Sequence, residues 1–194
     1  MTMTTDRSAL ARAIYATSHI TGEFVLRSGA VSNEYFDKYR FESDPALLRD
    51  VAGALVPLLP DGTEALAGLE LGGVPIATVL SQVTGIPAFF VRKEAKTYGT
   101  CQLAEGGVIE GRRLTVIEDV VTSGGQVITS CGDLRDRGAV VEHALCVIDR
   151  ESGGPEGLAG IGVELHPLFT MTELKRRSGA VPGGRDGAAE STDQ

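Results

Sequence analysis

The 194-residue sequence has no long apolar run and no excess of basic residues, and each absence argues against a class of protein. No apolar stretch approaches the roughly 20 residues that a transmembrane helix needs. Lysine and arginine number 18 against 26 acidic residues, so the formal net charge is −8. Because nucleic-acid binding depends largely on cations that neutralise phosphates, this balance disfavours a nucleic-acid partner.

Cysteine is also scarce in this chain. Cys101, Cys131 and Cys146 are odd in number and widely spaced. They lack the spacing of a metal site and are typical of free thiols in a reducing compartment. Residues 1–15 contain no continuous apolar segment, so we expect no secretory signal peptide. Together these features predict a globular protein of the cytoplasm.

Short apolar segments alternate with helical ones along the middle of the chain. The predicted strands are 65–69, 88–92, 114–118 and 140–148, and the predicted helices between them are 74–83 and 123–137. This alternation predicts an α/β fold with a central, mostly parallel sheet flanked by helices. Ligands of such sheets bind at the carboxyl ends of the strands.

The flanking segments are less regular. Periodicity predicts a helix over 6–18 and short strands at 24–26 and 34–39, and Asp44 before Pro45 predicts another helix start.

Two segments have no periodicity at all. The segment 94–111 is a long connection between strands, which indicates a functional or mobile loop. The glycine-rich, polar tail 179–194 is expected to be disordered.

The segment 116–128 combines a strand, two adjacent carboxylates, a loop of small residues and a helix. Backbone N–H groups at a helix N-terminus bind phosphate, and the hydroxyls of Thr122 and Ser123 add donors. Glu118 and Asp119 can accept hydrogen bonds from the vicinal hydroxyls of a sugar or help to hold a hydrated Mg²⁺. The segment therefore predicts a site for a sugar phosphate.

This segment resembles the signature of the type I phosphoribosyltransferases, which bind phosphoribosyl pyrophosphate (PRPP). The resemblance implies that the two acids hold the ribose hydroxyls, that the loop holds the 5-phosphate, and that Mg²⁺ enters with PRPP. The PRPP-binding residues implied here are Glu118, Asp119, Val120, Val121, Thr122, Ser123, Gly124, Gly125 and Gln126. Without the resemblance, the acids would merely end a strand and Thr122 would cap a helix.

A cationic segment follows the predicted strand 88–92. Arg92, Lys93 and Lys96 lie close together in an acidic protein, which indicates an anion site rather than a solvated turn. The segment resembles the Arg-Lys-x-x-Lys segment of orotate phosphoribosyltransferases, in which the following loop covers the active site. The resemblance implies that all three cations bind PRPP and that Lys96 acts with Asp119 in catalysis.

Three further segments resemble the same family. The segment 24–29 resembles a stretch that lies beside orotate, and 68–77 resembles the loop that faces pyrophosphate. Arg150 resembles the arginine that binds the orotate carboxylate, which a planar guanidinium can grip through two parallel hydrogen bonds. The implied orotate-binding residues are Arg27, Tyr35, Phe36, Thr122 and Arg150.

The resemblance covers about residues 6–178. It implies a type I phosphoribosyltransferase fold in a single domain, 1–178, with a small N-terminal hood formed by about 6–41 plus the 163–178 region. It also implies a Mg²⁺-dependent pentosyltransferase of pyrimidine synthesis, which converts orotate and PRPP to orotidine 5′-monophosphate and pyrophosphate. The family analogy adds a homodimer that shares the 94–111 loop across its interface.

Some positions depart from the family pattern. The loop often reads Lys-Asp-His-Gly, whereas Thr97 and Tyr98 stand in place of the acid and the histidine. A lysine often precedes the Gly-x-Pro of the pyrophosphate loop, whereas this chain has Leu71 and Gly72 there. Among the histidines, His143 lies within an apolar strand and is expected to pack rather than to catalyse. No role is predicted for His166.

Two alternatives therefore stay open. A type I phosphoribosyltransferase for a purine base would leave Arg150 and the segment 24–29 without a function. A non-catalytic, PRPP-sensing regulator would explain the missing loop histidine and the missing cation near Gly72. Against the regulator, both acids and the whole phosphate loop are present.

Overall fold

Strands and helices alternate through the chain. A computed structural model describes residues 6–25, 29–94 and 103–179. The strands are β1 (His19–Val25), β2 (Val31–Phe36), β3 (Ala65–Leu69), β4 (Ala88–Val91), β5 (Ala104–Glu105), β6 (Arg113–Val121), β7 (Val140–Asp149) and β8 (Glu164–Thr170). The helices are α1 (Arg7–Ser18), α2 (Lys38–Glu42), α3 (Pro45–Leu55), α4 (Gly73–Thr84), α5 (Gly125–Arg135), α6 (Gly154–Ala159) and α7 (Met171–Ser178), and a short 3-10 turn spans Val56–Leu58.

The main sheet has the strand order β5-β4-β3-β6-β7-β8. In the order β4, β3, β6, β7 and β8, each strand pairs in parallel with the next. β5 pairs antiparallel with β4. The predicted central, mostly parallel sheet is therefore confirmed. Parallel pairing brings the last residues of β3, β4, β6 and β7 to the same side of the sheet, here called the carboxyl edge.

Each face of the sheet packs against its own helices. Ile14 of α1 and Leu80 of α4 belong to a buried cluster with Leu145 of β7. Val127 of α5 belongs to a second cluster with Cys146 of β7. Successive strand residues point to opposite faces, so Leu145 and Cys146 separate the two clusters. Helices on both faces leave the strand ends as the place where polar side chains can gather.

The N-terminal hairpin lies apart from the main sheet. β1 and β2 pair antiparallel in a sheet of their own. The segment 163–178, which the sequence grouped with this hood, contributes β8 to the main sheet and α7 to a contact with α1. The division into a hood and a main domain, and the single-domain range 1–178, stay predictions.

Several element bounds differ from the predicted ones. β1 begins at His19 rather than at residue 24, because antiparallel pairing extends the hairpin through polar residues. Tyr39 lies in α2 rather than in a strand, because the Asp37 carboxylate accepts from its amide at 3.2 Å and starts a helix there. Within 94–111, β5 forms a short strand where only a loop was predicted.

Candidate active site

A cleft of about 510 Å³ opens at the carboxyl edge of the main sheet. Its walls come from the second strand of the hairpin, from α2, and from the ends of β3, β4, β6 and β7. The lining residues are Tyr35, Phe36, Asp37, Lys38, Tyr39, Glu70, Leu71, Lys93, Glu118, Val120, Thr122, Gln126 and Arg150. Residues predicted to bind PRPP and residues predicted to bind orotate thus share one cleft, although their individual roles stay predictions.

The predicted phosphate loop joins β6 to α5. Gly124 is the N-cap of α5 and has a φ of 79°, a left-handed conformation that favours glycine. Because glycine has no side chain, no capping side chain accepts hydrogen bonds from the first-turn amides. The helix thus begins at Gly125 rather than at Ser123, and Thr122 does not cap it. First-turn amides without a side-chain cap are suited to bind an anion.

The loop is held from behind by α6. A Cβ atom at Gly154 would lie 2.6 Å from Val121 Cγ1 and 2.8 Å from the Thr122 carbonyl oxygen. The Arg150 amide also donates to the Val121 carbonyl at 2.8 Å. Because these contacts leave no room for a side chain at Gly154, the backbone around Val121 and Thr122 is closely supported.

The two adjacent acids of β6 are buried beside a lysine. Asp119 is fully buried, and its Oδ2 atom lies 2.5 Å from the Nζ atom of Lys38. Burial alone would raise the pKa of Asp119, but a hydrogen bond with Glu118 and the Lys38 ammonium lower it. The pKa of Glu118 is well above its ordinary value because of burial and the neighbouring Asp119 carboxylate. Burial and the lysine contact therefore favour the charged form of Asp119 and disfavour the charged form of Glu118.

A third carboxyl group joins this cluster from α2. Glu42 is 8% exposed, and burial followed by interaction with Asp119 raises its pKa to about 9. Glu42, Glu118 and Asp119 therefore share one nearby ammonium group, that of Lys38. Burial thus disfavours the charged forms of Glu42 and Glu118, and a protonated carboxyl group such as that of Glu42 can donate a hydrogen bond to a charged one.

Lys38 and Glu42 were not predicted as site residues. Lys38 opens α2 two positions after Phe36, and the side chain of the intervening Asp37 caps that helix start. The segment forms no familiar motif, and Lys38 is 81 positions from Asp119 along the chain, as their numbers show. Its place after Tyr35 and Phe36, both already predicted to face a ligand, is the signal that pointed toward it.

The loop between β3 and α4 packs directly against Asp119. A Cβ atom at Gly72 would lie 1.6 Å from Asp119 Oδ2, and one at Gly73 would lie 2.1 Å from the Ile117 carbonyl oxygen. No side chain fits at Gly72 in this arrangement, so neither lysine nor arginine can occupy this position. Leu71 is 66% exposed and lines the cleft, so this wall of the cleft is apolar where the family often has lysine.

The two predicted cations after β4 are placed differently. Lys93 lines the cleft, and its amide donates to Glu70 Oε1 at 2.6 Å. Arg92 Nε lies 3.5 Å from Glu105 Oε1 of β5. Arg92 is not one of the described residues that line the cleft. Adjacent residues at a strand end point in opposite directions, which accounts for this separation. The PRPP-binding role of Arg92 stays a prediction.

A smaller cavity of about 170 Å³ adjoins the cleft. Tyr35, Phe36 and Arg150 line both spaces, so they stand at the junction between them. The Arg150 side chain follows Asp149, whose Oδ1 atom accepts from the Glu151 amide at 2.9 Å and fixes the turn after β7. The predicted carboxylate-binding arginine is therefore beside the predicted aromatic pair.

Several predictions fall outside the described residues. These are Arg27, the loop residues Lys96, Thr97 and Tyr98, Cys101, and the tail 180–194. The other two cysteines, Cys131 and Cys146, are buried free thiols, and burial raises the pKa of Cys131 to about 11.

Comparisons with known proteins agree with this geometry. No protein-family model matches the chain. An orotate phosphoribosyltransferase of Nocardioides sp. is 54% identical over 180 residues, which cover 92% of this chain and 100% of that relative. The orotate phosphoribosyltransferase of Mycobacterium tuberculosis H37Rv in complex with Fe(III) dicitrate has a TM-score of 0.79 at 30% identity, over 87% of this chain and 98% of that chain. The same enzyme in complex with PRPP has a TM-score of 0.74 at 27% identity, over 87% and 98%.

Among the helices of the described residues, none has the length and apolar character required to cross a bilayer.

Proposed function

The chain belongs to the orotate phosphoribosyltransferase family, and from this premise we propose that its cleft joins orotate to PRPP. The products are orotidine 5′-monophosphate and pyrophosphate, as in pyrimidine synthesis. The observation that carries the proposal is the meeting of Glu118, Thr122 of the phosphate loop and Arg150 in one cleft, with Asp119 buried beneath it. The names of the relatives favour orotate over a purine base.

PRPP would lie across the end of β6. The uncapped first turn of α5, with the hydroxyls of Thr122 and Ser123, suits the 5-phosphate. The lowered pKa of Asp119 keeps its carboxylate charged, so it can accept hydrogen bonds from the ribose hydroxyls. Burial and the neighbouring Asp119 raise the pKa of Glu118, so we assign to Glu118 the orientation of Asp119 rather than a second charge.

The leaving pyrophosphate needs cations, because negative charge grows on it as the bond to the anomeric carbon breaks. Lys93 and Lys38 both line the cleft and are the cations that we assign to it. Lys38 and Leu71 line the same cleft. Lys38 is therefore proposed to supply the positive charge that a lysine near Gly72 would otherwise give. Lys96 is proposed to add a further cation, reaching from the partner subunit of a homodimer.

Orotate would occupy the junction between the cleft and the smaller cavity. Arg150 is placed to bind its carboxylate, while Tyr35 and Phe36 offer rings beside the planar base. As the ring nitrogen of orotate bonds to the anomeric carbon, the bond from that carbon to pyrophosphate breaks, and the proton of the ring nitrogen passes to the leaving pyrophosphate or to solvent. Closing of the 94–111 loop would exclude water that competes for PRPP.

Mg²⁺ is proposed as the cofactor, and the donors at the cleft suit it. Glu70 and Glu118 line the cleft and Asp119 lies beneath it, so the available ligands are carboxylate oxygens, which Mg²⁺ prefers. Mg²⁺ is commonly held by one or two carboxylates together with substrate phosphates. Bound with PRPP, it would offset part of the charge on the pyrophosphate. We propose that the enzyme acts in the cytoplasm.

A pyrophosphate-release assay with three bases tests the proposed function. The chain is mixed with PRPP and Mg²⁺ and with orotate, adenine or hypoxanthine in separate reactions. We expect pyrophosphate release only in the reaction that contains orotate. Release with a purine base instead would assign the chain to that base. No release with any base, together with PRPP binding in calorimetry, would identify a regulator.

A further inference from the structure

Two histidines and a glutamate gather at the end of the main sheet opposite the cleft. His143 lies near the start of β7, and Glu164 and His166 lie near the start of β8. In the parallel register His143 pairs with Glu164, and Leu145 pairs with His166. His143 precedes Asp149 by six positions along β7, a distance of about 20 Å at the rise of a strand. The cluster is therefore separate from the proposed active site.

The polar atoms of the three side chains lie close to one another. His143 Nδ1 lies 3.2 Å from His166 Nε2. Glu164 Oε2 lies 3.9 Å from His143 Nδ1 and 3.8 Å from His166 Nε2. A circle through the corners of a triangle with these sides has a radius of about 2.1 Å, which matches zinc–nitrogen and zinc–oxygen distances of roughly 2.0–2.2 Å. An ion at its centre would lie within bonding distance of all three atoms.

The donor types narrow the class of ion. Two imidazole nitrogens and one carboxylate oxygen suit Zn²⁺ and similar transition metals, whereas Mg²⁺ and Ca²⁺ prefer oxygen ligands alone. The imidazole side chains are 33% and 25% exposed, and Glu164 is 69% exposed. A shallow depression of about 500 Å³, lined by His143 and Glu164, gives access from solvent. A fourth ligand position is thus open to water.

We propose that His143, Glu164 and His166 bind a divalent transition-metal ion of the zinc class. The ion links β7 to the edge strand β8 at their amino ends. Because it is far from the cleft, it contributes to the stability of the sheet rather than to the transfer reaction. Without the ion, one of the nitrogens His143 Nδ1 and His166 Nε2 must donate a hydrogen bond to the other. When the ion is bound, each nitrogen bonds to the metal instead.

Zinc binding is measured by calorimetry on the full chain without a histidine tag, after treatment with EDTA. The parent chain and a Cys101→Ser protein are both measured, and the histidine variants carry Cys101→Ser, since Cys101 is a thiol outside the described residues. We expect one zinc ion per chain, and His143→Gln and His166→Gln each to weaken binding by about 100-fold or more. The matched control is His19→Gln, whose ring contacts Glu34 at 2.8 Å elsewhere in the chain, and it should bind zinc like the parent. Unchanged affinity in the His143 and His166 variants, or loss of binding on Cys101→Ser alone, would overturn the assignment.

Thermal unfolding separates a metal site from a folding defect. Glu164→Gln alters an exposed side chain, so this variant and the parent should unfold at the same Tm in EDTA. At a free zinc concentration about 100 times the Kd, the parent should gain roughly 5–10 °C, and Glu164→Gln clearly less. An equal gain in both proteins, no gain in the parent, or an equal gain with Mg²⁺ would refute the proposal.

Discussion

The two ends of the central strands carry polar clusters of opposite character. At the carboxyl edge, Glu42, Glu118 and Asp119 are buried around Lys38, and their pKa values are shifted in opposite directions. At the amino end, His143 and its neighbours remain open to solvent. Burial couples the protonation of the acids, because each charge is poorly screened there. The cost of desolvating charged groups is therefore concentrated at the carboxyl edge, where the site is preorganised.

The largest effect should follow from removing the charge at the buried end. Asp119→Asn is expected to weaken PRPP binding by about 100-fold or more, because an amide replaces the carboxylate and leaves the half-buried Lys38 ammonium without its partner. Glu118→Gln is the matched control. Burial and Asp119 already disfavour the charged form of Glu118, so this variant should lose far less affinity. Calorimetry with Mg²⁺ and PRPP measures both, and equal losses would show that the two acids do not differ as described.

A smaller effect is expected for the exposed cation of the cleft. Arg150→Ala should raise the KM for orotate by roughly 10- to 100-fold, the equivalent of one charge-assisted contact, with little change in the KM for PRPP. Arg113→Ala at the opposite end of the sheet removes an exposed arginine whose ion pair with Glu64 spans 3.7 Å. That variant should leave both constants unchanged. If Arg150→Ala shifts both constants alike, it does not hold the orotate carboxylate.

The packing behind Asp119 gives the third test. Gly72→Ala places a methyl group within 1.6 Å of Asp119 Oδ2, so the loop must shift, and we expect a loss of about 1–3 kcal/mol in the free energy of unfolding. Leu71→Ala, one position earlier, removes an exposed side chain and should cost little. Urea unfolding compares the two variants. Similar losses would mean that the loop does not press on Asp119.

The last test concerns the pH dependence of stability. The pKa of Glu42 is about 9 in the folded chain, far above the ordinary value of 4.5, so the folded chain holds a proton that the unfolded chain releases. Its contribution to stability is therefore complete below about pH 4.5 and is lost as the pH rises toward 9. Glu42→Gln cannot lose that proton, so its Tm should fall less than that of the parent between pH 5 and 8. Identical declines in metal-free buffer would disprove the buried, protonated state of Glu42.

The sequence predicted the regular parts of this fold because their signals are local. The apolar segment at 65–69 coincides with β3, and Asp44 before Pro45 marks the start of α3, where the Asp44 carboxylate accepts from the Ala46 and Leu47 amides at 2.9 and 3.0 Å. The segment 116–128 likewise contains the strand end, the loop and the helix start within one stretch of chain.

Features that depend on packing could not be predicted in this way. Lys38 and Glu42 reach Asp119 only because α2 folds over the end of β6, and a lone lysine and a lone glutamate in a short helix give no signal. β8 was not predicted because it mixes apolar residues with His166 and Pro167 and so resembles a loop. The register of β7 against β8 brings His143 to His166, which neither residue reveals alone.

The edges of the main sheet also determine how copies of the chain can meet. One edge strand, β5, has only two residues, and the other, β8, contains Pro167, which has no amide proton to donate. Short edge strands and edge prolines both discourage a neighbouring chain from adding a strand, which is a common route to aggregation. We therefore expect copies of the protein to associate through side-chain surfaces rather than through a continuous sheet, and concentrated solutions to resist fibril formation.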